Sequence, residues 1–173
     1  MGKVDISLAD FFSDTDRYAD LINVYIFHGR QVIKAVDIQE KDSRVTGILR
    51  KLGNRKRSHL IQKYRDIVRR IVFGTHIVVL GLEHQEQIHY AMPVRILMED
   101  AAGYDEQMRK IQKRHRRLKD LRGGEYLGSF SKQDRINPIL TIVIYYGEEP
   151  WTGPKDLYEM MDLESIPEEI KTP

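Results

Sequence analysis

Asp66, Glu83 and Gln85 are the residues whose types and spacing suit metal-assisted chemistry. Glu83 closes an apolar run, HIVVLGL over 76–82, and Asp66 lies in the β-branched run before it. If the two runs fold back on each other around Gly74, partners sum to about 147–149, which sets Asp66 opposite positions 81–83. Carboxylates on adjacent strands can share one hard cation, and Mg²⁺ prefers oxygen ligands while keeping several waters. Strand alternation puts Glu83, Gln85 and Gln87 on one face and His84 and Glu86 on the other. Gln85 then projects beside Glu83. A lone acid in so apolar a strand is costly to bury unless it is paired or metal-bound. An ordinary Asp at a strand start and a Glu at a strand end that has reached water account for the same two residues without chemistry.

Several elements must position these groups. Ser13 or Asp14 can cap a first helix, followed by Tyr18, Leu21, Ile22, Tyr25 and Ile26 at helical spacing and ended near Gly29. Residues 31–36 read as a short extended piece. Residues 37–62 are polar and basic with weak periodicity, which reads as a long connection with a marginal helix. Residues 64–73 and 76–82, around a Phe-Gly-Thr turn, predict an antiparallel hairpin. Pro93 suits a first helical turn. Val94, Leu97, Met98, Ala101, Tyr104, Met108 and Ile111 continue a helical stripe expected to run to Gly123-Gly124. Residues 139–146 (ILTIVIYY) predict a buried strand, 150–154 a loop and 157–163 a short helix. This order predicts an α/β fold with a mixed sheet and helices packed against it.

The net charge of +2 hides segregation. Residues 43–70 hold ten Lys/Arg and one acid, and residues 109–122 hold eight and one. Residues 148–173 hold eight acids and two lysines. Two basic blocks suit a polyanion, because Lys and Arg neutralise phosphates and release counterions. The block at 109–122 by itself is equally a solvated helix face. Arg95 can bind phosphate or pair with Glu99 at i+4.

Cysteine is absent, which excludes disulfides, thiolate metal sites and cysteine nucleophiles. No run approaches the roughly 20 apolar residues of a membrane span. The N-terminus lacks a signal-peptide pattern, so the expected location is cytoplasmic, with no membrane partner. The histidines form no H-E-x-x-H pattern, and no G-x-S-x-G elbow or phosphate-binding glycine loop is present. Gly123-Gly124 reads as a helix stop, and Tyr145, Tyr146 and Trp151 as aromatics packed at a strand end.

Arg65-Asp66-Ile67-Val68, Val78 to Gln85, and His89-Tyr90-Ala91-Met92-Pro93-Val94-Arg95 resemble one bacterial family. The later strand, followed by Glu149-Pro150-Trp151 and Gly153-Pro154, resembles it too. It is the recombination-promoting nuclease, or transposase-like, group of the PD-(D/E)XK superfamily, and the resemblance spans roughly residues 18–163. It implies a restriction-endonuclease-like core in a nuclease-like domain over 1–163. The acidic tail over 164–173 would open a further C-terminal region. It also implies Mg²⁺-dependent cleavage of DNA phosphodiesters, with Mn²⁺ as a substitute, and it leaves homo-oligomerisation open. Carried onto this chain, Asp66 and Glu83 are metal ligands and Gln85 stands where a lysine is usual. Asp20 on the first helix is a further acid by position. Arg69, Arg70, Arg95, Arg114 and Arg117 are expected to contact DNA. The alternative is a catalytically inactive nuclease-fold protein that binds nucleic acid or a protein partner.

Overall fold

Asp14 fixes where the helix over 15–25 begins. Its carboxylate accepts from the Asp16 and Arg17 backbone N–H groups at 2.9 and 3.1 Å, two of the donors that a helix start leaves without partners. Helix α1 spans Thr15–Tyr25 and buries Tyr18, Ala19, Ile22 and Asn23. In this computed structural model the described residues are 10–40, 44–50, 58–64, 67–73, 76–164 and 166–167.

The piece expected to be extended over 31–36 is extended at Lys34 (φ −109°, ψ 156°), gives way to a 3-10 turn from Ala35 and joins no sheet. Its backbone groups are taken by the buried Asn23 side chain. Asn23 Oδ1 accepts from Val32 N and Ile33 N at 3.0 and 2.8 Å, and Nδ2 donates to Ile33 O at 2.8 Å. A short 3-10 turn, Ala35–Asp37, then leads into β1, Ile38–Glu40.

The long connection expected over 37–62 is also corrected. It contains an antiparallel hairpin of β2 (Arg44–Arg50) and β3 (Ser58–Tyr64), paired from Arg44↔Tyr64 to Arg50↔Ser58. Its apolar residues fall on both alternating sets and are interrupted by basic ones, so no period-2 signal survives. Backbone pairing holds the hairpin together, and β2 lies against the long helix described below.

The expected second hairpin is present as β4, Ile67–Phe73, and β5, His76–Gln85. Ile67 faces Leu82 and Phe73 faces His76, so partners sum to 149, within the expected range. Helix α2, Met92–Leu118, with Pro93 in its first turn, crosses over to β6, Ile139–Tyr145, which runs parallel to β5. The sheet order is β1-β4-β5-β6. The chain is therefore a mixed α/β structure. Among the described residues no helix is long and apolar enough to cross a membrane.

α2 stops at Leu118, short of Gly123-Gly124. Lys119 takes a left-handed conformation (φ 54°) and its N–H caps onto His115 O. Gly123 and Gly124 instead open a short helix α3, Gly123–Gly128. The helix expected over 157–163 is a single 3-10 turn, Tyr158–Met160.

Opposed residues in adjacent strands share a face, so the register gives the sheet two distinct sides. Ile38, Ile71, Leu82 and Ile142 lie on one side and form the core with Phe12, Tyr18, Ala19 and Ile22. Each such buried Leu or Ile contributes about 1.5–3 kcal/mol. Glu83 and Thr141 lie on the other side, toward α2.

Candidate functional site

Glu83 sits two residues before the end of β5 and is 0% exposed. The strand has not reached water there, which removes the solvated-end explanation. Its neighbour is Arg95, in the first turn of α2. Arg95 Nη2 donates to Glu83 Oε2 at 2.7 Å, and Nε donates to Glu99 Oε1 at 3.1 Å. Glu99, one turn further on, is 1% exposed, whereas the Arg95 side chain is 29% exposed. Two buried carboxylates from different elements thus meet on one guanidinium, whose forked donors suit them.

Around this trio α2 is fastened to β6. Thr141 Oγ1 donates to Asp100 Oδ1 at 2.9 Å. Gln107 exchanges both amide hydrogen bonds with the Asn137 backbone, and the Tyr104 hydroxyl accepts from Ile139 N. These bonds fix the first half of α2, and with it Arg95 and Glu99, relative to Glu83.

The parallel pair continues past β5 and β6, where Tyr146 N donates to Gln85 O at 3.0 Å. The following loop folds back on Tyr145. The Tyr145 hydroxyl donates to Glu149 O, and its ring meets the Trp151 ring edge-on at 5.2 Å. A side chain at Gly147 would run into the Tyr145 hydroxyl and the Glu86 carbonyl, so this turn requires glycine. Tyr145 and Trp151 therefore pack on each other, as expected. The loop forms a wall beside the carboxyl ends of β5 and β6, where α/β sheets commonly place their sites.

The structure treats the expected site residues unequally. Asp66 lies outside the described residues. Gln85 is half-buried at the end of β5, two positions beyond Glu83 and on its side of the sheet. Asp20 is set apart: it is exposed on α1, which packs on the opposite side of the sheet. Arg69, expected at DNA, lies in the interior of this structure. It is buried, its Nη2 donates to Ser13 O, and its guanidinium lies 5.9 Å from the Tyr18 ring centre. Arg70 is half-buried on the Glu83 side. Arg95 makes both acid contacts at once, beyond the Glu99 pairing that its spacing suggested. Arg117 is exposed, while Arg114 is held by Asp134.

Sequence reasoning missed Glu99 as a member of this group, although its i+4 spacing from Arg95 was visible. It also missed a second cluster at the far end of α2. The buried His115 has Nδ1 2.7 Å from Asp120 Oδ1 and Nε2 2.7 Å from Asp134 Oδ2. Asp134 also accepts from Ser131 N at 2.7 Å and from Arg114. Hydrogen bonding to Asp120, then to Asp134, raises the His115 pKa above 6.5, against the opposing effect of burial. Burial pushes Asp134 up, but the Ser131 N–H and His115 outweigh it and hold it below 3.8. The signal for His115 was hidden, because it stands inside a run of cations that reads as a solvated face.

Glu83 fits a hard cation in donor type, being an oxygen ligand in a dry interior. Among the described residues no group of three or more His, Asp or Glu is arranged to hold a metal ion. Mg²⁺ needs only one or two carboxylates, with water and substrate filling the remaining positions. Comparison with protein-family models, curated proteins and solved structures found no match for this chain.

Proposed function

We propose that the chain is a metal-dependent DNA endonuclease of the recombination-promoting, transposase-like type, with a restriction-endonuclease-like core. The observation that carries this reading is the full burial of Glu83 on the α2 side of the sheet, beside Arg95 and Gln85. The mixed central sheet flanked by helices supports the same reading, as do the motif residues gathered at the carboxyl ends of β5 and β6.

Glu83, with Asp66, would hold Mg²⁺ or Mn²⁺, which supplies a polarised phosphate and an acidified water. Gln85 orients that water by hydrogen bonds and, unlike a lysine, adds no positive charge. Arg95 offsets part of the charge of the two acids and stays 29% exposed, so a phosphate at the site would meet a guanidinium beside Glu83. Burial of Glu83 and Glu99 strengthens each electrostatic contact that these two acids make.

A specific observation favours a second reading. Arg95 Nη2 lies 2.7 Å from Glu83 Oε2, so an ion pair already gives the buried acid a partner of opposite charge. A catalytically inactive nuclease-fold protein that binds nucleic acid would retain it as a structural ion pair.

Nicking of supercoiled plasmid with Mg²⁺, Mn²⁺ or EDTA separates the two readings. The expected outcome is metal-dependent nicking, abolished in Asp66→Ala and Glu83→Gln. Absence of nicking in every metal, with DNA binding unchanged by either substitution, selects the second reading.

A further inference from the structure

The structure divides the basic block of α2 into two groups. Arg109 pairs with Asp105, Lys110 with Glu106 and Arg114 with Asp134, while His115 sits between Asp120 and Asp134. Among the described residues Lys113, Arg116, Arg117 and Lys119 make no ion pair. Arg116 and Lys119 line a pocket of about 320 Å³, together with His115, Leu121, Tyr126 and Ser129. That volume is at the lower end for a small-ligand site.

The pocket combines two unspent cations with apolar and aromatic walls. Beneath it, His115 and Arg114 are matched one for one by Asp120 and Asp134. Arg116 and Lys119 are therefore not needed to balance the cluster. The carbonyl end of α2 opposes a bound anion with about half a unit charge, and two full charges outweigh it. Tyr126 is 68% exposed and lines the same pocket as the two cations. Cations next to an exposed aromatic ring are the elements of a single-strand platform, on which phosphates meet charge and bases stack.

We infer that this pocket binds a nucleoside phosphate unit of a nucleic-acid strand, with the phosphate held by Arg116 and Lys119 and the base stacked on Tyr126. A free nucleotide offers the same chemistry from another source. The inference rests on the nucleic-acid half of the proposed function and not on its metal half. Arg95 and His115 are separated by about 30 Å along α2, at 1.5 Å per residue.

The test is fluorescence anisotropy with a labelled single-stranded oligonucleotide in EDTA, so that cleavage is silent, across a salt series. Arg116→Ala with Lys119→Ala should weaken binding about tenfold and reduce the salt slope by about one to two. Both residues are exposed, so the fold stays intact. Tyr126→Leu should weaken single-strand binding about fivefold or more and leave duplex binding nearly unchanged. Lys34→Ala with Lys155→Ala removes the same charge from exposed positions outside the pocket and should stay within about twofold of wild type.

Displacement of the strand by a free nucleoside monophosphate at millimolar concentration would support the shared chemistry and assign the free nucleotide as a ligand. A pocket variant that binds like wild type, or no worse than the control, overturns the inference. Plasmid nicking reports separately. Nicking with no binding loss in the pocket variant discards the pocket and keeps the nuclease reading. Pocket-dependent binding without nicking does the reverse.

Discussion

The two ends of α2 carry the same arrangement in different chemistry. At the N-terminal end a guanidinium bridges Glu83 and Glu99. At the C-terminal end an imidazole bridges Asp120 and Asp134. Each places one cation between two carboxylates and ties the helix to another part of the chain. Arginine keeps its charge at any pH a protein survives, so the cation of the first bridge is permanent. Histidine titrates near neutrality, so the second is conditional. The permanent bridge lies beside the proposed catalytic residues, and the conditional one beneath the inferred nucleotide pocket. A charge that must hold a site together is built from the residue that cannot lose it.

Removing the permanent cation should produce the largest effect. Arg95→Met keeps most of the side-chain volume and leaves two buried acids facing each other. Stability by urea unfolding should fall by about 3–5 kcal/mol, the usual cost of breaking a buried pair from one side. A loss below about 1 kcal/mol would mean that the acids find other partners and that the two ends of α2 are not comparable. A double-mutant cycle with Glu83→Gln sharpens the point. Coupling between Arg95 and Glu83 should lie near 1–3 kcal/mol, as for contacting groups in one network.

The conditional bridge should respond to pH, with a defined sign. His115 is raised in the folded state, so its contribution is complete below 6.5 and is lost as pH rises through the raised value. Asp134 is lowered, so its contribution is present above 3.8 and is lost as pH falls through the lowered value. The bridge is therefore fully formed between those limits. His115→Gln should lower Tm by about 2–4 °C near pH 5.5. The gap between variant and wild type should close on the alkaline side. A gap that stays constant up to pH 9 would show that the imidazole is held by packing and not by charge.

The sequence was legible where short-range physics decides the structure. Asp14 caps α1, β4 and β5 pair within the register range expected from their spacing, and the apolar run of β6 can be little else. It was illegible where distant groups settle the outcome. Asn23 takes up backbone groups of Val32 and Ile33, nine and ten residues away, and that segment joins no sheet. The β2–β3 hairpin forms without a clean apolar face, so alternation could not reveal it. For the candidate site, Glu83 and Gln85 were visible from their place at the end of an apolar strand, and Arg95 from its spacing to Glu99. The union of Glu83, Arg95 and Glu99 was not, because it depends on how α2 crosses the sheet. His115 was the least visible, since Asp134 reaches it from a turn 19 residues away.

The smallest effect belongs to the middle of α2 and calibrates both ends. Lys110 pairs with Glu106 one turn earlier, at a separation as short as any in the bridges, but its side chain is 69% exposed. Water screens such a pair, and holding two long side chains in place costs entropy, so Lys110→Ala should change stability by less than about 0.5 kcal/mol. Distance alone would rank this contact beside Arg95–Glu83. If urea unfolding gave similar losses for Lys110→Ala and Arg95→Met, burial could not be what distinguishes the ends of the helix from its middle. A several-fold difference would assign the strength of the N-terminal bridge to the dry setting of its carboxylates, which is the property the proposed metal site also requires.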